Sequence, residues 1–303
     1  MKRGWITWDQ NELPREAFES RLQTARQHLA QHDLPALVVY TDVWRSNQVR
    51  HFSNFMPYWN RALLVIPREG SPVLLCGLSP RVYPWIRSVT ILEEIQPSPN
   101  LAQQLLKFSL EKGWKRVGTL GFSQFPSDLS QQIRSGGIEI IDLILPASPD
   151  EWELAMYRHA AKMARDGLTE QMSAGTGLTD QAFTGRLERA FRRAGAEDLV
   201  ILLTNGQSAP MPPRGETLTT DFSVALALEY RGHWVKVARS HSPRDPVPIH
   251  IHVENLAGSY PYEPSARLET PSILAVRFES QTDGIRRFHG DTYWSGTHGL
   301  ELL

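Results

Sequence analysis

One feature in the middle of the chain constrains the fold more than any other: a clear helix start. In the stretch LPASPDEWE, Ser148 can cap a helix, Pro149 suits its first turn, and Glu151 completes the Ser-x-x-Glu capping box. The apolar pattern that follows predicts a long helix that runs to about Ser173. A helix start of this strength after a Pro-containing stretch indicates a boundary between two domains.

Before this helix start, short apolar runs that have the length of strands alternate with helical stripes. The runs at 36–40, 62–66 and 72–76 read ALVVY, ALLVI and PVLLC. Strands that alternate with helices are typical of an α/β layer. We place the boundary near Ala147, so that residues 1–147 are expected to form an α/β domain.

After the boundary, residues 148–303 show two helical patterns and then antiparallel strands. The second helix is predicted to start at Thr179 and to stop at Gly195. The runs FSVALALEY and HWVKVARS flank the turn Arg231-Gly232, and ILAVRFES leads into a second turn at Asp283-Gly284. Each turn predicts a β hairpin, and the order of elements predicts an α+β domain.

The composition is that of a globular protein, and it excludes several classes of function. The chain has 303 residues, of which 41% are hydrophobic and 21% are charged, and its formal net charge is −1. This balance argues against a protein that coats nucleic acid or an anionic membrane. Cys76 is the only cysteine, so there is no intrachain disulfide. Without an apolar leader or an 18-residue apolar run, we expect a cytoplasmic protein with no nucleic-acid or membrane partner.

Several segments occur in an order that carries a further signal. The first domain contains LPALVVY, RHFSNF and RALLVIPREGSPVLLCG, and the boundary helix reads SPDEWELAMYRHAAKMARDGL. The second domain contains EYRGHWVKVARS and the tail SILAVRFESQTDGIRRFHGDTYWSGTHGLELL. Together these segments resemble the creatinase and Xaa-Pro aminopeptidase family, the pita-bread metallohydrolases. The resemblance covers nearly the whole chain and depends on this colinear order.

The resemblance implies a dinuclear metal centre held by two Asp, one His and two Glu, whose bridging water is the nucleophile. In this sequence the two Asp positions hold Ala225 and Lys236, and the GHGxG stretch that carries the His has no counterpart. Gly290 stands at the second Glu position, and Glu279 is the ligand that remains. Alanine has no donor atom and a protonated lysine has no lone pair. We therefore expect no metal and no cofactor at these positions.

The resemblance also implies a pair of helices for which this chain has little room. Ser240 to Ile249 is all that separates HWVKVAR from HIHVE, and one helix needs roughly 10–14 residues. We therefore expect a trimmed pita-bread domain with a partly uncovered sheet. Because family members form dimers in which the first domain reaches the neighbouring subunit, we expect a homodimer, or a heterodimer with a full-length family paralogue. The first-domain loops carry aromatic residues that either form a dimer contact or a substrate wall, or belong to the local core: Trp44, Tyr58, Trp59, Tyr83 and Trp85.

A separate candidate site is the triplet His250, His252 and Glu254. Residues two apart on a strand face the same side, so these three side chains can converge on a metal ion. The alternative is a solvated polar face on an edge strand, which we favour because alternation alone produces such triplets. Further ligands for a relocated metal site could come from His241, Glu279 and His289.

Four cationic residues in the last strands have two interpretations each. Lys236 is predicted either to form an ion pair with Glu279 in the former metal cavity, or to act there as a base after losing its proton. The ion pair or an outward-pointing side chain is favoured. Arg277, Arg286 and Arg287 either bind an anionic ligand or lie solvated on the hairpin, and the second is favoured.

Three functional hypotheses remain open on the sequence alone. The first is a metal-free homologue of the Xaa-Pro peptidases, either a pseudoenzyme subunit or a small-molecule-binding protein. The second is an enzyme that uses the same cavity for other chemistry, either without metal or with the His250/His252/Glu254 site. The third is a residual C–N bond hydrolase. Glu279 and Lys236 are the candidate catalytic residues, and we do not expect an active dinuclear metallopeptidase.

Overall fold

The computed structural model describes residues 6–145, 148–206, 209–242, 250–256, 271–282 and 284–303. The chain forms two compact units, Lys2–Pro146 and Ala147–Leu303. Within the described ranges, no helix combines the length and the apolar character needed to cross a membrane.

The first unit is a six-stranded mixed sheet with helices on both faces. Its helices are α1 (Arg15–Gln31), α2 (Asn47–Ser53), α3 (Tyr83–Val89), α4 (Leu101–Glu111) and α5 (Ser127–Ser135). Its strands are β1 (Ala36–Asp42), β2 (Arg61–Pro67), β3 (Val73–Cys76), β4 (Glu94–Pro97), β5 (Arg116–Thr119) and β6 (Glu139–Asp142). The strand order is β4-β3-β2-β1-β5-β6, in which β1–β2 and β2–β3 are antiparallel and the other pairs are parallel.

The continuous apolar run in β1 is explained by burial on both faces of this sheet. Leu37 and Val39 belong to the core that includes α1 and α2, whereas Val38 and Tyr40 belong to the core that includes α4 and α5. A strand buried on both sides does not alternate between apolar and polar residues. The α/β prediction for this half of the chain is therefore confirmed.

The second unit is a seven-stranded antiparallel sheet with two helices. The helices are α6 (Glu151–Met172) and α7 (Asp180–Arg193). The strands are β7 (Asp198–Asn205), β8 (Phe222–Tyr230), β9 (His233–His241), β10 (His250–Asn255), β11 (Ser272–Thr282), β12 (Ile285–Gly296) and β13 (Gly299–Leu302). The order is β10-β11-β12-β9-β8-β7, with β13 paired to β12.

The two helices cover one face of this sheet. Ala164 of α6 and Phe183 of α7 share a core with Val224, Leu226 and Val237 of the central strands. The residues that alternate with these on β8 and β9 face the other side of the sheet. The helices therefore leave a second face of the central strands for a site.

The long boundary helix forms as predicted, but its cap is a different residue. Asp150, and not Ser148, is the N-cap: its Oδ1 accepts the Glu153 backbone N–H at 2.8 Å. Glu153 returns the bond by accepting the Asp150 N–H at 3.2 Å. The same capping box thus sits two residues further along the chain, where a carboxylate also interacts favourably with the helix dipole.

Other local signals in the second unit fall where the sequence places them. Thr179 caps α7 by accepting the N–H of Ala182 at 3.2 Å. Arg231 and Gly232 have φ values of 52° and 86°, which is the geometry of a tight hairpin turn. Gly284 has φ of 77°, while its turn partner Asp283 lies outside the described residues. Four short elements have no sequence prediction, namely α2, α3, β4 and β13, because runs of four to seven residues carry too little periodicity.

The linker that the sequence predicts to be too short for a helical pair lies between β9 and β10. β9 ends at His241 and β10 begins at His250. Most of this linker, residues 243–249, lies outside the described residues. In the part of the chain that the structure describes, no helix follows α7.

Candidate functional site

A cavity of about 360 Å³ lies over the central strands of the second sheet. Its walls come from β7, β8, β9, β10, β11 and β12, so it extends across nearly the whole sheet. The residues that line it include Val200, Leu202, Ala225, Ala227, Lys236, Ala238, His252, Glu254, Ala275, Val276, Arg277 and Gly290.

Strand register aligns several of these residues in one row across the sheet. Ala225 pairs with Ala238, Ala238 with Gly290, Gly290 with Arg277, and Arg277 with His252. Paired residues in adjacent strands have side chains on the same face. The row therefore has three small residues at one end, which leave open space, and two polar side chains at the other.

Lys236 and Glu254 lie in the next row and meet across the cavity. The Lys236 Nζ lies 2.6 Å from Oε1 and 2.7 Å from Oε2 of Glu254. The two side chains are 27% and 25% exposed, respectively. Below them, Thr292 accepts the Lys236 backbone N–H at 2.9 Å and pairs with Ala275 of β11. The ion pair thus bridges β9 and β10, two strands that are not neighbours.

The predicted ion pair between Lys236 and Glu279 is therefore replaced by one with Glu254. The reason is register: Glu279 pairs with His250 and Phe288, away from the row that contains Lys236. The Glu279 carboxylate instead lies 3.7 Å from His252 Nε2 and 3.7 Å from Arg286 Nε.

Gly290 is required by the close approach of two backbones. A Cβ at this position would lie 2.6 Å from the carbonyl oxygen of Val276 and 2.9 Å from the Cα of Arg277. Both distances are shorter than a real Cβ contact, and backbone atoms cannot swing aside. The glutamate that the family resemblance implies here therefore has no room unless β11 and β12 move apart.

The residues present do not fit a dinuclear metal centre. Ala225, Lys236 and Gly290 line one cavity, so the positions inferred from the resemblance do come together in space. None of them offers a carboxylate, and the one nearby carboxylate from β10 is bound to Lys236. Across the described residues, no three His, Cys, Asp or Glu side chains are grouped closely enough to hold a metal ion.

The candidate triplet on β10 is divided among different surroundings. Glu254 binds Lys236, and His252 lines the cavity beside Glu279. His250 is exposed and is not among the described lining residues. His241 packs its ring against Phe222 at 5.3 Å. The structure therefore brings His252 and Glu254 to the cavity but does not assemble the triplet around one point.

His289 does not reach the cavity, contrary to its inclusion among the candidate ligands. It is adjacent to Gly290, so it lies on the opposite face of the strand. Its Nε2 is 3.8 Å from Asp291, whose other oxygen accepts a bond from Arg239 at 2.7 Å. Arg239 also contacts Thr169 of α6, which identifies this as the helix-covered side. Burial and the nearby Arg239 lower the pKa of His289.

The three arginines of the last hairpin have three different environments. Arg287 is buried, and its Nε donates to Asp221 at 3.0 Å and to Ser242 at 2.9 Å, so the expectation of a solvated side chain is wrong for it. Arg286 approaches Glu279. Arg277 lines the cavity, and its guanidinium carbon lies 5.5 Å from the centroid of the Phe288 ring. Sequence spacing alone could not distinguish the environments of these three arginines, because the strand register decides which face each one occupies.

Comparison with known proteins shows the fold of this chain. An Xaa-Pro dipeptidase from Bacillus anthracis superposes with a TM-score of 0.74 at 13% identity, over 94% of this chain and 97% of that one. An X-Pro aminopeptidase from Thermotoga maritima gives 0.76 at 13% identity, over 93% and 96%. The prolidase from Pyrococcus horikoshii gives 0.73 at 11% identity, over 93% and 97%.

These similarities define the class of fold: a mixed α/β chain with the pita-bread fold of the Xaa-Pro peptidases. The resemblance inferred from the sequence is confirmed at this level. No protein-family model matches the chain, and a search of curated proteins finds no match. The identities are low enough that the shared property is the fold, and function has to be argued from the cavity itself.

We expect the Lys236–Glu254 pair to show strong coupling in a double-mutant cycle. Lys236→Met and Glu254→Leu should each lower the free energy of unfolding by about 1–2 kcal/mol, because each leaves a partly buried charge without its partner. The double variant should lose less than the sum. Urea denaturation of the four proteins measures this. The exposed pair Lys162–Asp166 on α6 is the control, with an expected coupling of about 0.5 kcal/mol or less. Simple additivity at Lys236 and Glu254 would contradict the expectation.

Proposed function

We propose that this chain is a metal-free relative of the Xaa-Pro peptidases that binds a small molecule in the sheet cavity. The supporting observation is the chemistry at three positions that come together there. Ala225, Lys236 and Gly290 stand where the resemblance implies carboxylates, and the ammonium of Lys236 is bound to Glu254. A pair of divalent cations needs several anionic ligands to offset their charge, and a lysine in their place repels them.

The cavity has the properties of a small-molecule site. Its volume of about 360 Å³ falls within the usual range of such pockets, roughly 300–1,000 Å³. Ala225, Ala227 and Ala238 form a flat, weakly polar floor, and Val200 and Leu202 add apolar surface. The charged side chains of the lining are Lys236 on β9, Glu254 on β10 and Arg277 on β11, and none comes from β7 or β8. Apolar walls with a few convergent polar groups suit an organic ligand better than a bare ion.

Because we propose that this chain has no metal-bound nucleophile, the first expectation concerns metal content and activity. The purified protein should carry no stoichiometric pair of metal ions in elemental analysis, and it should not hydrolyse Xaa-Pro dipeptides or creatine with or without added Mn²⁺. The Xaa-Pro dipeptidase of Bacillus anthracis, assayed in parallel with Xaa-Pro dipeptides, is the positive control. About two Mn, Co, Zn or Fe per chain, or turnover that a chelator abolishes, would refute the proposal.

A ligand in the cavity should be displaced by a bulky side chain on its floor. Ala225→Trp places an indole where Ala225, Ala238 and Gly290 leave open space, whereas Ala182→Trp adds the same group on the exposed face of α7. Ligand-observed NMR with a mixture of small organic fragments should show binding to the natural protein and to Ala182→Trp, and loss of binding to Ala225→Trp. Fragments that bind all three proteins equally would place the binding site elsewhere.

We also propose that the chain forms dimers through the first unit. Trp44 and Trp59 are 61% and 70% exposed, and the pairing of Asp42 with Arg61 places both just beyond the same end of β1 and β2. The other loop aromatics belong to local packing: Tyr83 is buried, and Tyr58 contacts Trp85 at 5.4 Å. Two exposed indoles at one end of a hairpin are the kind of apolar surface that a partner covers.

Light scattering on the pure chain tests this dimer. The mass should be close to twice 34.3 kDa at micromolar concentration, and the double variant Trp44→Ser/Trp59→Ser should shift it toward the monomer. Replacing Trp8, which lies outside this loop pair, with Phe should leave the mass unchanged. A natural chain that stays at 34.3 kDa on concentration excludes the homodimer. Co-purification from the native host would then decide whether a family paralogue is the partner.

A further inference from the structure

We infer that the ligand of the sheet cavity carries a carboxylate group, and that Arg277 binds it. The inference rests on the proposed function, because it names the chemical class of the small molecule that the cavity takes. Arg277 was one of three arginines that the sequence could not tell apart, and the structure gives it a charge environment different from the other two.

Among the described arginines and lysines at and beside the cavity, Arg277 is the one without a carboxylate partner. Lys236 is paired with Glu254, Arg286 approaches Glu279, and Arg287 is paired with Asp221. For Arg277, no carboxylate of the described residues lies within 4 Å, and its Nε is buried without a hydrogen-bond acceptor among them. A guanidinium that is partly enclosed without an anion has hydrogen-bond donors left unpaired, and a buried unpaired donor costs free energy.

The side chain of Arg277 is held in a position suited to an incoming anion. Its guanidinium lies 5.5 Å from the Phe288 ring centroid, and this cation–π contact limits its freedom. It pairs across the strands with Gly290, which projects no side chain toward it. A carboxylate can therefore accept two parallel bonds from the guanidinium, the geometry in which arginine binds carboxylates most strongly. His252, the next residue in the row, offers a further ring nitrogen at the same end.

The rest of the cavity lining indicates that the other end of the ligand is uncharged and apolar. From Arg277 the row continues through Gly290 and Ala238 to Ala225, and Ala225 pairs with Leu202 on β7. These positions present methyl groups, a glycine backbone and a leucine, with no charge. A small acid with a short aliphatic chain matches both ends, whereas a cationic ligand would place its charge against Arg277.

Hexanoate and its neutral analogue hexanamide test the inference directly. They differ in charge but hardly in size, and isothermal titration calorimetry at pH 7 measures both. We expect hexanoate to bind the natural protein about tenfold to a hundredfold more tightly than hexanamide, the range for a hydrogen-bonded charge partner. Arg277→Gln should remove this difference. Arg189→Gln, which makes the same charge change on the exposed face of α7, should preserve it.

Each outcome separates the inference from the proposed function. Equal binding of hexanoate and hexanamide overturns the carboxylate inference but leaves a small-molecule cavity in place. Binding of neither compound overturns the inference, and the fragment experiment with Ala225→Trp then decides the proposed function on its own. Unchanged hexanoate affinity in Arg277→Gln overturns the assignment of the residue. If Arg277→Gln fails to fold, Arg277→Lys keeps the charge but loses the fork, and it should bind hexanoate several-fold more weakly.

Discussion

The second unit depends on an ion pair that joins two strands without a shared hydrogen-bond ladder. Lys236 on β9 and Glu254 on β10 are separated in the sheet by β12 and β11, yet their side chains are in direct contact. Both side chains are about one quarter exposed, so their mutual attraction is less screened than that of a surface pair. β10 is an edge strand of the described sheet and is mostly exposed, so this contact ties it to the centre of the sheet.

The same pair explains why the cavity has the charge pattern that it has. Glu254 neutralises Lys236, which stands at a position where the resemblance implies a metal ligand, so the alanine floor next to it is left without net charge. Gly290 adds a steric reason, since the backbones of β11 and β12 approach too closely for a side chain. Introducing one carboxylate by substitution would therefore not create a metal centre, because a side chain at Gly290 is blocked sterically and Lys236 is paired with Glu254.

The sequence predicted the elements better than it predicted the contacts between them. A continuous apolar run was sufficient for β1, helical periodicity for α7 with its start at Thr179, and a turn glycine for the Arg231-Gly232 hairpin, because each depends on residues a few positions apart. The N-cap of α6 is Asp150 and not the predicted Ser148. Both residues begin a capping-box pattern, and the two patterns overlap; in the structure the helix uses the one that begins with a carboxylate. The partner of Lys236 depends on the register of four strands, and a shift of one residue would turn every side chain to the other face. No local pattern carries that information.

One fold can host many functions, so the same strand framework can carry different side chains at its site. The strand framework brings Ala225, Lys236 and Gly290 together at one cavity, and none of these side chains offers a carboxylate. The small side chains of Ala225 and Ala238 and the bare backbone of Gly290 leave a concave surface there. Among the described residues, Arg277 lines this surface with no carboxylate within 4 Å, and we propose that it selects an acidic ligand. The proposed acid-binding site therefore combines two features of the same surface: small side chains that leave space, and a guanidinium at one end that can bind a carboxylate.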